Sequence, residues 1–280
     1  MLPLGCGVAL ASDINTDTTT VATVATNMTL KVATLNIAHG RKDGMNQMLQ
    51  SGATARQNLQ DVARLLDRIG ADVVALQEAD GSSRWSGNFD HVDVVAEAAS
   101  YPFRVHGLHA KKALYQFGTA LLSRYPFQRT LSHSFTPSPP TTTKGFDVGV
   151  IAWNPGGNLA SPVLVHAVSV HLDFSRDKVR DQQVAELVSV LGKISEPLVV
   201  MGDFNSDAED DDSPLRNLAR KLDLQLFRPD ADGLSTYGSS GSRLDWILLS
   251  RQLDYVDHKI WPDVVSDHRA VVAEISLAAD

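Results

Sequence analysis

The chain has 280 residues, with 25 Lys and Arg against 33 Asp and Glu, a formal charge of −8 and a pI near 5.5. That acidity argues against a broad electrostatic grip on nucleic acid, which depends on Lys and Arg neutralising phosphates, but leaves room for a local basic groove. With 43% hydrophobic and 21% charged residues the composition is that of an ordinary globular protein, large enough for one big α/β domain or two small ones, and no apolar run reaches the ~18 residues of a membrane span.

Cys6 is the only cysteine, so the chain has no intrachain disulfide and no thiolate metal site. Leu4-Gly5-Cys6 admits a lipid-acceptor reading that Pro3 weakens, and a stray thiol is the plainer one. Ala9-Leu10-Ala11 resembles the end of a secretory signal, although neither feature follows a basic stretch or a full apolar segment. The expectation is export to the periplasm or the medium, with Cys6 as a lipid anchor in one version, rather than a cytoplasmic protein. Residues 12–28 are Thr-rich and patternless, so residues 1–28 read as a flexible tail or signal remnant and 29–280 as the domain.

From Leu30 the pattern changes. LKVATL (30–35) reads as a strand ending at Asn36. Leu59, Val62, Ala63, Leu66 and Ile69 then fall at helical spacing, with Gly70 as the stop. DVVAL (72–76) is a short apolar strand that delivers Gln77 and Glu78. GTALLS (118–123) and DVGVIAW (147–153) read as further strands, and VLVHAVSVH (163–171) ends on His171. Residues 176–194 form an amphipathic helix on Val179, Val184, Leu187, Val190 and Leu191. LVVMG (198–202) leads into Asp203 and Asn205, and LDWILLS (244–250) and HRAVVAEIS (268–276) close the chain. No linker and no internal repeat interrupts this alternation, which predicts one α/β domain with most strands buried between layers.

Chemistry gathers at the strand ends. Asn36, Glu78, His171, Asp203, Asn205, Asp267 and His268 each lie within a few residues of an apolar strand's edge, where α/β folds build ligand sites. Taken singly, each has an ordinary explanation as a solvated charge, a turn former or a surface histidine. Together they match a phosphoester-cleaving centre. Hard divalent cations take carboxylate and amide oxygens, a water nucleophile needs a base, and charge on the phosphoryl oxygens needs donors. Glu78 and Asp267 suit the metal, Asp203 the water, and Asn36, Asn205, His171 and His268 the phosphoryl oxygens. Asp245 suits pairing with His268.

The segments TLNIAHG (34–40), VVALQEAD (73–80), GTALLSRYP (118–126), VSVHLDF (168–174), VMGDFNSD (200–207), SRLDWILLS (242–250) and SDHRAV (266–271) occur in this order. In them the chain resembles the endonuclease/exonuclease/phosphatase superfamily, which includes pancreatic deoxyribonuclease, abasic-site endonucleases, neutral sphingomyelinases and inositol-phosphate 5-phosphatases. The resemblance covers roughly residues 30 to 278, and the pairing of GDFN with a later SDH is its most specific element.

It implies a four-layer α/β/β/α sandwich of the deoxyribonuclease I-like type, with a metal site at one edge of the packed sheets. Position by position, Asn36 and Glu78 match metal-holding residues and Asp267 a metal-proximal acid. Asp203 matches the acid that activates water, and Asn205 the amide that contacts phosphate and positions that acid. His171 matches a phosphate-facing histidine, Asp245 the partner of the last histidine, and His268 the histidine that stabilises the transition state. The implied cofactor is Mg²⁺, with Mn²⁺ or Ca²⁺ as alternatives.

Ala38 stands where abasic-site endonucleases carry an acid, and their duplex-gripping insertions have no match, so substrate class stays open. The expectation is a monomeric metal-dependent phosphoesterase acting on a phosphodiester or phosphomonoester. Its substrate would be nucleic acid, nucleotide or phospholipid headgroup, with a nuclease and a sphingomyelinase-like diesterase as the main alternatives. A non-catalytic binding module is the remote one, since such descendants usually lose site residues. DAEDDD (207–212) reads as a solvated acidic turn. WSGNFDH (85–91) and Tyr115-Gln116-Phe117 are rim or ordinary loop residues, and His39, next to Gly40 and Arg41, either reaches the substrate or is a polar loop residue, the plainer reading.

Overall fold

The computed structural model describes residues 24–42, 44, 50–157, 160–238 and 241–279. Cys6 and Ala9-Leu10-Ala11 lie outside them. In chain order the elements are β1 (Leu30–Asn36), α1 (Gly52–Ile69), β2 (Val73–Asp80), α2 (His91–Ala98), β3 (Phe103–Lys112), β4 (Tyr115–Ser123), β5 (Phe127–Ser134) and β6 (Gly145–Trp153). They continue with β7 (Val163–His171), α3 (Asp177–Leu191), β8 (Leu198–Asp203), α4 (Pro214–Leu222), β9 (Leu224–Leu226), β10 (Asp245–Ser250), β11 (Leu253–Ile260) and β12 (Val271–Leu277).

Local chemistry sets the helix ends. The Ser51 hydroxyl accepts from the Thr54 N–H to start α1, and Gly70, at φ 64°, turns the chain out of it. Asp90 caps α2 in the same way, and Ser213 followed by Pro214 starts α4.

The strands form two six-stranded sheets, ordered β11-β12-β1-β2-β4-β3 and β5-β6-β7-β8-β10-β9. Period-2 alternation distributes their side chains. In β1 and β2, Ala33, Leu35, Val74 and Leu76 face the apolar sides of α1 and α2. In β8 and β10, Leu198, Val200, Trp246 and Leu248 face α3 and α4. The intervening residues, Val32, Val73, Ala75, Val199, Met201, Ile247 and Leu249, fill the space between the sheets. Strands covered on both faces are apolar throughout, hence the unbroken runs in the sequence. The result is the expected four-layer α/β/β/α sandwich.

Two details differ from expectation. Residues 25–27, within the stretch read as a tail, are anchored: Ala25 is fully buried and bridges Trp153, and the Trp153 indole donates to the Asn27 carbonyl at 2.8 Å. The last strand begins at Val271, leaving His268 outside it, joined to Tyr237 by an isolated bridge. Among the described residues no helix is long and apolar enough to cross a membrane.

Candidate active site

The alternation that builds the inter-sheet core also builds the site. Followed to their ends, the inter-sheet rows of β1, β7, β8 and β10 terminate in Asn36, His171, Asp203 and Asp245. The strand register sets His171 opposite Asp203 and Asp203 opposite Asp245. One pleat deeper, a polar row replaces hydrocarbon. Thr34 donates to Gln77, Gln77 to Ser169, and Thr119 to Asp147.

Asp203 is the hub. Its Oδ2 lies 2.9 Å from Asn36 Nδ2, 3.5 Å from His171 Nε2 and 3.8 Å from His268 Nε2, and its Oδ1 accepts from the Asn205 N–H at 3.0 Å. Gly202 makes this approach feasible: its φ is +152°, and a Cβ there would lie 2.0 Å from the Val170 carbonyl oxygen. That is the physical reason for glycine before the aspartate in GDFN.

His268 Nδ1 pairs with Asp245 Oδ2 at 2.8 Å. Asp245, fully buried, is held by the Thr236 hydroxyl through its own N–H. The Asn205 side chain is turned aside, donating to the Leu172 carbonyl, so Asp203 is positioned by the backbone of Asn205 and the side chain of Asn36.

Glu78 reaches the site by a bulge. The β2–β4 register shifts between Gln77 and Ala79, and Glu78 adopts φ 51°. The extra residue leaves Ala79 on the helix-facing side. Glu78 Oε2 lies 3.4 Å from His39 Nε2, whose Nδ1 is 2.6 Å from Asp80 Oδ1. Asp267 is engaged by Arg41 at 2.5 Å, so a cation there would compete with a guanidinium.

Charge states follow from these contacts. Burial is the largest influence on Asp203 and pushes its carboxyl up; His268 opposes this and Asp245 reinforces it, and the net position is above the usual carboxylate range. Burial disfavours the charged form of His268, but Asp245 and Asp203 outweigh it and raise its pKa to about 10, so it is an imidazolium at neutral pH. His171 moves the other way: burial, then the Lys144 ammonium, holds it well below the ordinary value and therefore neutral. Burial would raise Glu78, yet His39, Lys144, His171 and His268 together keep it well below the usual range.

Six of the eight residues singled out from sequence are joined by contacts around Asp203; Glu78 is held by His39, and Asp267, one residue from His268, is paired with Arg41. Two residues were not singled out. His39, read as a loop residue, bridges Glu78 and Asp80. Lys144 is buried with its Nζ 3.2 Å from His171 Nε2. The Gly40 turn beside His39 was a usable signal; Lys144, after three threonines, carried none.

The donor set fits a hard divalent cation: carboxylate and amide oxygens with imidazole, and no thiolate. Ligand atoms of Asp203, Asp245 and His268 lie within 4.8 Å of one another, and Asp245 Oδ1 is buried without a hydrogen-bond partner. From His39 an aromatic ladder runs through Phe117 (4.7 Å) and Tyr115 to Trp85, which is partly exposed. The Tyr237 ring lies against His268, tilted by 53° with centroids 4.8 Å apart.

The profile of the Endonuclease/Exonuclease/phosphatase family matches residues 33–268, and the chain belongs to that family, whose members are divalent-metal-dependent hydrolases of phosphoester bonds. Among solved structures, a family protein from Leptotrichia buccalis superposes with a TM-score of 0.66 at 18% identity, covering 89% of this chain and 100% of that one. A mannosyl-6-phosphatase of Bacteroides thetaiotaomicron gives 0.65 at 15%, covering 89% and 100%. Beta toxin of Staphylococcus aureus gives 0.62 at 20%, covering 87% and 99%. At these identities the likeness establishes the fold. No curated protein matches the sequence.

Proposed function

We propose that this member of the family hydrolyses a phosphodiester by in-line attack of water, with Asp203 as the group that orients the water and takes its proton. The observation that carries the reading is the position of Asp203, whose one carboxylate oxygen is shared by Asn36, His171 and His268. A carboxyl pushed above its usual range is a better base than an ordinary aspartate and is still ionised near neutral pH.

His268, charged and held by Asp245, donates to a phosphoryl oxygen as charge grows there. His171, neutral, supplies a hydrogen bond without charge, and Asn205 borders the phosphoryl group. Glu78 and Asn36 would hold the metal, and Asp267 would join them only by giving up Arg41; Mg²⁺ is the proposed ion. When bound, it supplies Lewis acidity and offsets the phosphate's negative charge.

The partly exposed aromatics Trp85 and Tyr237 favour a substrate whose phosphate carries a ring or an apolar group, so a diester is preferred over a small monoester. The same rim suits a nucleobase or a lipid headgroup region. The test is one enzyme batch assayed with Mg²⁺, Mn²⁺ or EDTA on a bis-aryl phosphate, single-stranded DNA and sphingomyelin vesicles. Metal-dependent turnover of at least one diester is expected; a nuclease would weaken as salt rises, and a lipid diesterase would respond to vesicles. Turnover of no phosphoester with either metal would end the proposal. Export is proposed on the Ala9-Leu10-Ala11 and Cys6 pattern, and mass analysis of the protein from its native host checks it.

A further inference from the structure

We propose that Lys144 is an anion receptor of this site, its ammonium binding a non-bridging oxygen of the substrate's phosphoryl group. The inference rests on the phosphoesterase reading and adds a substrate-touching residue to it.

Lys144 is only 6% exposed. Its Nζ lies 3.3 Å from His171 Nδ1 and 3.2 Å from His171 Nε2. Among the described residues no carboxylate oxygen comes within 4.0 Å of that nitrogen. An ammonium has three donors, whereas a neutral imidazole offers one lone pair. Donors therefore remain for a ligand, and a positive charge remains buried with no anionic group in contact, which proteins avoid unless a partner arrives from outside. Burial pulls Lys144 toward its neutral form, and Glu78, Asp203 and Asp173 oppose that from a distance. Glu78, Asp203 and His171 are the groups beside which the phosphoryl group is proposed to sit, whereas Asp173 is occupied by Thr141, Ser175 and Arg176; the free donors of Lys144 suit a tetrahedral oxyanion there.

The local structure is built to keep Lys144 there. The segment before it is tied to the segment after β7. The Thr141 hydroxyl donates to Asp173 Oδ2 at 2.5 Å, and Arg176 donates to the Thr141 hydroxyl at 2.7 Å and to the Pro139 carbonyl at 3.2 Å. The Lys144 carbonyl accepts from the Phe135 N–H at 3.0 Å. The next residue must be glycine: a Cβ on Gly145 would lie 2.4 Å from both His109 Nδ1 and the His133 carbonyl oxygen. Lys144 thus enters the site from a clamped backbone on both sides.

A purely structural lysine and an anion receptor make opposite predictions on truncation. If Lys144 only props up His171, Lys144→Met loses stability. If it is an uncompensated cation kept for a ligand, Lys144→Met gains stability and loses the ligand, as replacing buried charge by hydrocarbon commonly does.

The experiment compares wild type and Lys144→Met. Inorganic phosphate is titrated in EDTA by calorimetry, melting is followed with and without phosphate, and bis-aryl phosphate hydrolysis is measured with Mg²⁺. The expected result is phosphate binding by wild type without metal, at least tenfold weaker binding by Lys144→Met, a rise in KM, and a melting temperature higher by roughly 3 °C. Equal phosphate affinity in the two proteins, no metal-free binding by wild type, or a variant that melts lower or does not fold would each overturn the proposal. Wild type with no phosphoesterase activity at all would instead sink the functional reading. An active wild type whose Lys144→Met variant is unchanged would sink this inference alone.

Discussion

Two histidines flank the same carboxylate oxygen and carry opposite charge. On the β10–β12 side, His268 sits 3.8 Å from Asp203 Oδ2 with Asp245 behind it; on the β6–β7 side, His171 sits 3.5 Å away with Lys144 behind it. Both rings are buried, so burial does not distinguish them. Burial favours the neutral form of both; at His268 the carboxylate behind the ring overcomes it, and at His171 the ammonium behind the ring adds to it. The hub thus has a charged donor on one flank and an uncharged one on the other, a division of labour between transition-state stabilisation and positioning.

The strongest way to break this asymmetry is at the charged flank. His268→Gln leaves a neutral donor where a cation stood and is expected to lower kcat/KM about 10³-fold or more. Asp245→Asn, which keeps the ring but removes its counter-charge, should cost about 10³-fold. Steady-state kinetics on a bis-aryl phosphate checks both, and a loss under tenfold in either would mean that the His268 charge is not used.

A smaller effect is expected at Glu78. Glu78→Gln should shift the Mg²⁺ activation curve to about 10- to 100-fold higher metal. An unshifted curve would move the metal away from Glu78. The smallest effect belongs to the neutral flank: His171→Gln replaces one uncharged hydrogen-bonding group by another and should cost about tenfold. A loss matching that of His268→Gln would erase the distinction between the flanks.

Much of this was legible in the sequence, for a physical reason. Central strands covered on both faces are continuous apolar runs, so β1, β2, β7, β8 and β10 were readable, and with them the residues at their ends. The strands that were missed lie at or beside sheet edges. β5, FQRTLSHS, is largely exposed, and β11, LDYVDHKI, interleaves charge with its few apolar residues, so neither gives a run to read. The short helix α4 had a Ser-Pro start that could have been noticed. What the sequence could not provide was context. His171 and His268 look alike as histidines at strand edges, and their charge depends on Lys144 and Asp245, which lie 27 and 23 residues away along the chain. Asn36 was expected at the metal, yet its amide also holds Asp203, a role expected of the Asn205 side chain.

The central claim is that Asp203 activates the water. The most direct test is the pH dependence of kcat/KM for wild type and Asp203→Asn at saturating Mg²⁺. Activity of a base requires its ionised form, so the wild-type profile should rise with pH as Asp203 loses its proton, above the usual carboxylate range, and fall toward about pH 10 as His268 loses its own. Asp203→Asn should lose the rising limb together with at least about 10³-fold in rate. A variant that keeps that limb and stays within tenfold of wild type would contradict the account.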